Sequence, residues 1–176
     1  MKSVSREGAY YRVYKPDWDD PLDTSFAKSR AGRWNPPDEF GVLYLNFSLD
    51  VAAANARAAH AGRAIGLFDL KPDRRPRLLQ VRVSRSSVLD VLTVAGISAL
   101  RLPKTYPFSI ARARCWPIAR RAYADVKLGG IACRSAAECT KTAWIGEELA
   151  WFDRASHLVE NGPRQRFADW YPDPHP

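Results

Sequence analysis

Residues 32–61, GRWNPPDEFGVLYLNFSLDVAAANARAAHA, hold the pattern from which the architecture is read. Pro36 pushes Asn35 toward the extended region and Pro37 follows it, so GRWNPP is a rigid turn. Residues 41–46, GVLYLN, then read as a mostly buried strand. Ser48 is a good N-cap and Asp50 falls in the first helical turn, where the helix dipole favours an acid. The alanine-rich run to Ala61 has high helix propensity, and Gly62 stops it. Within this helix Ala52, Asn55, Ala56 and Ala59 share one stripe at three- and four-residue spacings, and Asn55 is its polar member.

Outward from this strand–helix unit the pieces are short. Residues 8–15, GAYYRVYK, form a strand that ends at Pro16 and the acidic Asp17, Asp19 and Asp20; Tyr10, Arg12 and Tyr14 share one of its faces. Residues 16–30 read as loop or a single turn. Downstream, residues 66–69 and 77–83 are expected as strands, the latter alternating Leu79, Val81 and Val83. Residues 86–92 read as a short helix or turn, and residues 107–125 as helix broken at Pro117. Residues 131–134 are a strand candidate, and residues 142–144 and 149–152 are short ordered pieces. The expected fold class is α+β, one domain over residues 1–162 with short mixed or antiparallel strands and peripheral helices. A tail, residues 163–176, would pack through Phe167, Trp170 and Tyr171.

A chain of 176 residues with 46% hydrophobic and 26% charged content suits one soluble globular domain. No run of 18 apolar residues exists to span a bilayer, and residues 1–14 lack the apolar core of a secretion signal, so cytoplasmic residence is the default expectation. The 3 Cys and 3 His have neither disulfide nor zinc spacing, so buried free thiols and no metal are expected. Net charge is +8, and between Lys71 and Arg121 only Asp73 and Asp90 oppose the many cations. Such a surface draws an acidic partner or a phosphorylated ligand. No helix-turn-helix, zinc-finger or aromatic RNA-binding motif accompanies the charge, which sets direct nucleic-acid binding below a small phosphorylated ligand.

Chemistry first gathers at Arg33, Trp34 and Asn35. An arginine on a glycine-hinged turn can clamp a phosphate bidentately while the neighbouring indole stacks on a base. The same residues equally describe an arginine laid over a core tryptophan.

The ordered set Tyr11-Arg12-Val13, Gly32-Arg33-Trp34-Asn35-Pro36, Gly41-Val42-Leu43-Tyr44-Leu45, and Ser48 with its alanine helix resembles the amino-terminal half of the RES domain of bacterial toxins acting on NAD. Gly130-Ile131 and Arg134-Ser135 resemble that family's distal strand and serine. The resemblance implies a fold related to ADP-ribosyltransferases and a cleft that binds and consumes NAD, by hydrolysis or ADP-ribosyl transfer to a target protein. It implies catalytic roles for Arg33, Tyr44, Ser135 and the position of Asn55. NAD would be bound by Arg12, Arg33, Trp34, Tyr44 and Ser135, with no metal. It also implies an Xre-like DNA-binding antitoxin as partner; a homodimer is a further expectation, from the six Trp and the amphipathic distal segments. One departure stands out: this chain has Asn55 where the family pattern has Glu. Cleaving the nicotinamide–ribose bond develops positive charge that a carboxylate stabilises and a neutral amide does not. Asp50, Glu39, Glu138, Glu147 and Glu148 are the candidate substitutes, each with an alternative reading as a solvated charge. A domain that has lost its acid and only binds nucleotide or protein is the competing expectation.

Overall fold

A computed structural model describes residues 1–139 and 144–171. Its frame is the antiparallel pairing of two long strands, β1 (Ser3–Tyr14) and β3 (Arg77–Val91), from Ser3↔Leu89 to Tyr14↔Arg77. The register shifts between Arg6 and Gly8, where Gly8 adopts φ 116°, a conformation that glycine tolerates without strain; the resulting bulge bends β1. β2 (Val42–Asn46) pairs with β1 on its other side, β5 (Glu147–Phe152) with β2, and β4 (Gly130–Arg134) lies between β5 and β3. The order β1-β2-β5-β4-β3 returns to β1, so five strands close into a barrel. Only β3–β4 is parallel, and β6 (Val159–Glu160) adds to β3 outside the ring.

The α+β class with mixed strands and peripheral helices is as expected, but the closed barrel differs from the open sheet of an ADP-ribosyltransferase-like fold. The reason lies in residues 86–92. Expected as helix or turn, they continue β3, and their Val88–Val91 stretch pairs with β4 while β1 still holds the other side. A strand of 15 residues can join both ends of the ring. Other boundaries move for local reasons. Pro117 lies in the first turn of α4 (Trp116–Ala124), where a missing N–H costs nothing, so it starts the helix instead of breaking it. Residues 66–69 form a turn in which Gly66 N–H donates to Asp69 Oδ2 at 2.9 Å, not a strand.

Strand alternation divides the side chains. Tyr10, Leu43, Leu45, Val81, Ala132, Leu149 and Trp151 form one buried cluster drawn from all five strands, the barrel interior. Each fully buried leucine contributes about 1.5–3 kcal/mol relative to exposure. The opposite faces carry the helices: α1 (Ser25–Ser29), α2 (Leu49–Ala58), α3 (Val94–Ala99), α4 and α5 (Phe167–Trp170). Ser48 caps α2 by accepting from Val51 N–H at 3.3 Å, as its sequence suggests. Phe167, Trp170 and Tyr171 pack on Ala52, Ala53, Ala56 and Leu78, so α5 and its flank cover the outer side of α2 and β3. The expected ordered piece at 142–144 falls largely on residues 140–143, outside the described residues. Cys115 and Cys133 are buried free thiols, and Cys139 is half-buried.

Asp90 ties the far end of β3 to α3. One carboxylate oxygen accepts from the backbone N–H groups of Leu92 and Thr93, both at 3.0 Å, and the other from the Thr93 hydroxyl at 2.5 Å. Burial pushes the carboxyl up, but the bonds from Thr93 and Leu92 and the Arg6 charge outweigh it and hold Asp90 below the usual carboxylate range. A depressed folded-state value means that the stabilisation is complete above the unfolded value near ~4 and lost as pH falls through the folded value. Asp90→Ala is expected to cost about 2 kcal/mol at neutral pH in urea unfolding, with the gap to wild type narrowing in acid.

Candidate active site

The ladder between β1 and β2 consists of the single pair Tyr11↔Asn46. Beyond it the strands diverge, and Arg12 fills the space: its Nε donates to the Pro21 carbonyl at 3.0 Å and its Nη1 to the Tyr44 carbonyl at 3.2 Å. Burial pulls this guanidinium down to about 10, which leaves it cationic at neutral pH. Outside Arg12 opens a cavity of about 740 Å³, a volume suited to a small-molecule or cofactor ligand.

The GRWN turn forms one wall. Tyr44 fixes it: the phenol oxygen accepts from Trp34 N–H at 2.8 Å and donates to Asn35 Oδ1 at 3.1 Å. Asn35 in turn donates to the carbonyls of Ala27 and Arg30, at 2.6 and 2.8 Å. Only glycine fits at position 32, since a Cβ there would meet Asn35 Oδ1 at 2.2 Å and the Tyr44 hydroxyl at 2.6 Å. Burial pushes the Tyr44 phenol well above its ordinary value, against the opposing Trp34 hydrogen bond, so it remains a protonated donor. Arg33 emerges from this turn half-buried, with Nη1 on the Pro107 carbonyl at 2.8 Å and its guanidinium 5.6 Å from the centre of the Tyr106 ring.

The floor is polar. Asn55, projecting from α2, uses its amide to donate to Asn46 Oδ1 at 2.7 Å and to Glu148 Oε1 at 2.9 Å. Asn46 and Glu148 are directly opposed across the β2–β5 ladder. Tyr44, Asn46, Asn55 and Glu148 all line the cavity, with Arg12 and Arg33. Around them stand Lys15, His60, Arg63, Arg74 and Arg112, so the cleft is strongly basic. Of the cation-rich stretch 71–121, Arg74 and Arg112 reach it. Among the described residues no cluster of three or more His, Cys, Asp or Glu could hold a metal.

The six expected site residues thus fall as follows. Arg12, Arg33, Tyr44 and Asn55 converge on one cavity, whereas Trp34 is wholly buried against Tyr106 in the core and has no face to offer a ligand. Trp18 and Phe26 instead bring aromatic surface to the cleft, their ring centroids 5.7 Å apart, in a segment that reads as loop or a single turn. Ser135 is also wholly buried and does not line the cavity. Its hydroxyl accepts from Ala137 and Glu138 N–H at 3.2 and 3.3 Å, which makes it the anchor of the turn after β4. Among the acids, Glu39 is held by Arg120 and Glu147 by Arg6, while Asp50 and Glu138 lie off the cavity. Glu148 was the one to reach it, a placement that β5 alternation puts opposite Glu147 once the strand is recognised.

A family model described as RES domain matches residues 9–170. The chain belongs to the RES domain family. A chain of the M. tuberculosis MbcT-MbcA toxin-antitoxin complex shares this RES fold, with TM-score 0.75 and 19% identity over 94% of this chain and 88% of that one. No curated protein matches the sequence. The RES domain here includes no helix, among the described residues, that is long and apolar enough to cross a membrane.

Tyr44→Phe removes both bonds that pin the turn and leaves Trp34 N–H and Asn35 Oδ1 to find other partners. A loss of about 1–3 kcal/mol in urea unfolding, with an unchanged m-value, is the expected outcome.

Proposed function

We propose that this RES domain consumes NAD, binding the dinucleotide in the basic cleft and cleaving its nicotinamide–ribose bond, with transfer of the ADP-ribosyl group to water or to an acceptor side chain. The observation that carries the reading is the cavity of about 740 Å³ in which Arg33, Arg112 and Lys15 meet Trp18 and Phe26. A dinucleotide has phosphates that match the cations and ring systems that match the aromatic faces. In this reading Arg33 holds the pyrophosphate, with Arg12 as a fixed positive charge behind it. Tyr44 and Ser135 act on position: the first by holding the Arg33 turn, the second by holding the turn that follows β4. Family membership supports the chemistry, and the likeness to a chain of a toxin–antitoxin complex supports growth inhibition restrained by an antitoxin, of the Xre-like DNA-binding kind that the family resemblance implies.

A second reading, a nucleotide-binding module without turnover, is favoured by the amide at position 55, where the family resemblance implies an acid.

Purified protein incubated with NAD should release nicotinamide, and Arg33→Ala should lower kcat/KM at least tenfold through weakened dinucleotide binding. Heat of NAD binding with no nicotinamide release would establish the second reading. No binding and no release at any pH between about 5 and 9 would sink both.

A further inference from the structure

Resting on the NAD-consuming reading, we infer that the reaction's carboxylate is Glu148: the acid stands on strand β5 instead of helix α2, and Asn55 positions it. Glu148 Oε1 accepts one hydrogen of the Asn55 amide at 2.9 Å while the other goes to Asn46 Oδ1 at 2.7 Å. Asn46 is itself held, donating to the Tyr11 carbonyl at 2.9 Å. The amide therefore has both hydrogens committed, and its role toward Glu148 is to aim the carboxylate, not to replace it.

The electrostatic setting separates Glu148 from the other acids. Of the other candidate acids, Glu147 is neutralised by Arg6 at 2.6 Å and Glu39 by Arg120 at 2.5 Å, while Asp50 and Glu138 do not line the cavity. Among the described residues, no cation lies within salt-bridge distance of Glu148. Glu148 and Asp17 are the carboxylates that line the cavity, and Asp17 is exposed on the segment after β1 while Glu148 is half-buried on the floor. A half-buried carboxylate without a cation is a poor stabilising device, because desolvation is met by a single amide bond. It is well suited to meet a positive charge that arrives with the substrate.

That charge arises as the C–N bond between nicotinamide and ribose breaks. The bonding pair goes to the pyridinium nitrogen, which becomes neutral, and the ribose becomes an oxocarbenium ion beside the Glu148 carboxylate. When water is the acceptor, its oxygen bonds to the ribose carbon and its proton passes to Glu148 and then to solvent. The sum is NAD⁺ plus water giving nicotinamide, ADP-ribose and one proton. Asn55→Glu alone would place a second carboxylate against the first, and like charges at this distance oppose one another. Exchanging both residues restores one acid and one amide.

The test uses the full chain, with NAD binding by calorimetry and nicotinamide release measured in parallel, and thermal melts to confirm folding. Glu148→Gln keeps the shape and the acceptor for Asn55; it should bind NAD within threefold of wild type and lose at least about 100-fold in kcat. Asn55→Glu should not exceed wild type, and Asn55→Glu combined with Glu148→Gln should recover at least tenfold over Glu148→Gln. Asn55→Ala should lower kcat at least tenfold while NAD binding stays within threefold of wild type; a purely structural asparagine would leave kcat in place. If wild type turns over and Glu148→Gln keeps a third or more of its kcat, the inference is overturned and the NAD reading stands. Gain of turnover in Asn55→Glu over an inactive wild type overturns it as well, placing the acid on α2. If no variant binds or consumes NAD, the NAD reading falls and the inference with it.

Discussion

Closing five strands on themselves forces every strand side chain to one of two fates, the barrel interior or an outer face covered by helix and loop. The ladder β1–β3 sets this frame, and the bulge at Gly8 gives β1 the bend that closure needs. Register is then rigidly specified, because a slip by one residue would carry Leu149 outward and Glu148 into the apolar interior. The same alternation on β2 turns Leu43 and Leu45 inward and leaves Tyr44 and Asn46 facing the cleft.

The cleft exists because closure is incomplete at one seam. β1 and β2 share one paired position, and past it Arg12 bridges strand to strand with its side chain instead of the backbone. A buried guanidinium satisfied by two carbonyls is both a structural tie and a permanent positive charge behind the cavity. The Tyr44 phenol performs the matching task at the GRWN turn. By joining β2 to the GRWN turn it orients Arg33, so the conformation of a loop residue depends on a strand side chain.

Much was legible from residue order. The strand–cap–helix unit at 42–58, the glycine-hinged turn before it, and the shared face of Tyr10, Arg12 and Tyr14 all follow from local rules, and the structure has each of them. Local rules misread residues 86–92, where polar Ser86 and Ser87 read as a helix or turn although pairing with Arg6 and Ser5 of β1 makes them strand. Trp34 was ambiguous for a comparable reason: an indole beside an arginine has the same sequence signature whether its ring meets a ligand or the core, and only packing against Tyr106 decides.

By itself, the sequence determined the α+β class, the strand–cap–helix unit and the basic charge balance, because capping, alternation and helical spacing act within a few residues, while the grouping of Arg33, Tyr44 and Asn55 came from the RES resemblance. Tertiary structure alone decided ring closure, the burial of Trp34 and Ser135, the aromatic wall of Trp18 and Phe26, and the meeting of Asn55 with Glu148. These depend on contacts between residues far apart in the chain. No local periodicity encodes that a carboxylate on β5 lies across a ladder from Asn46 and under the amide of an α2 asparagine.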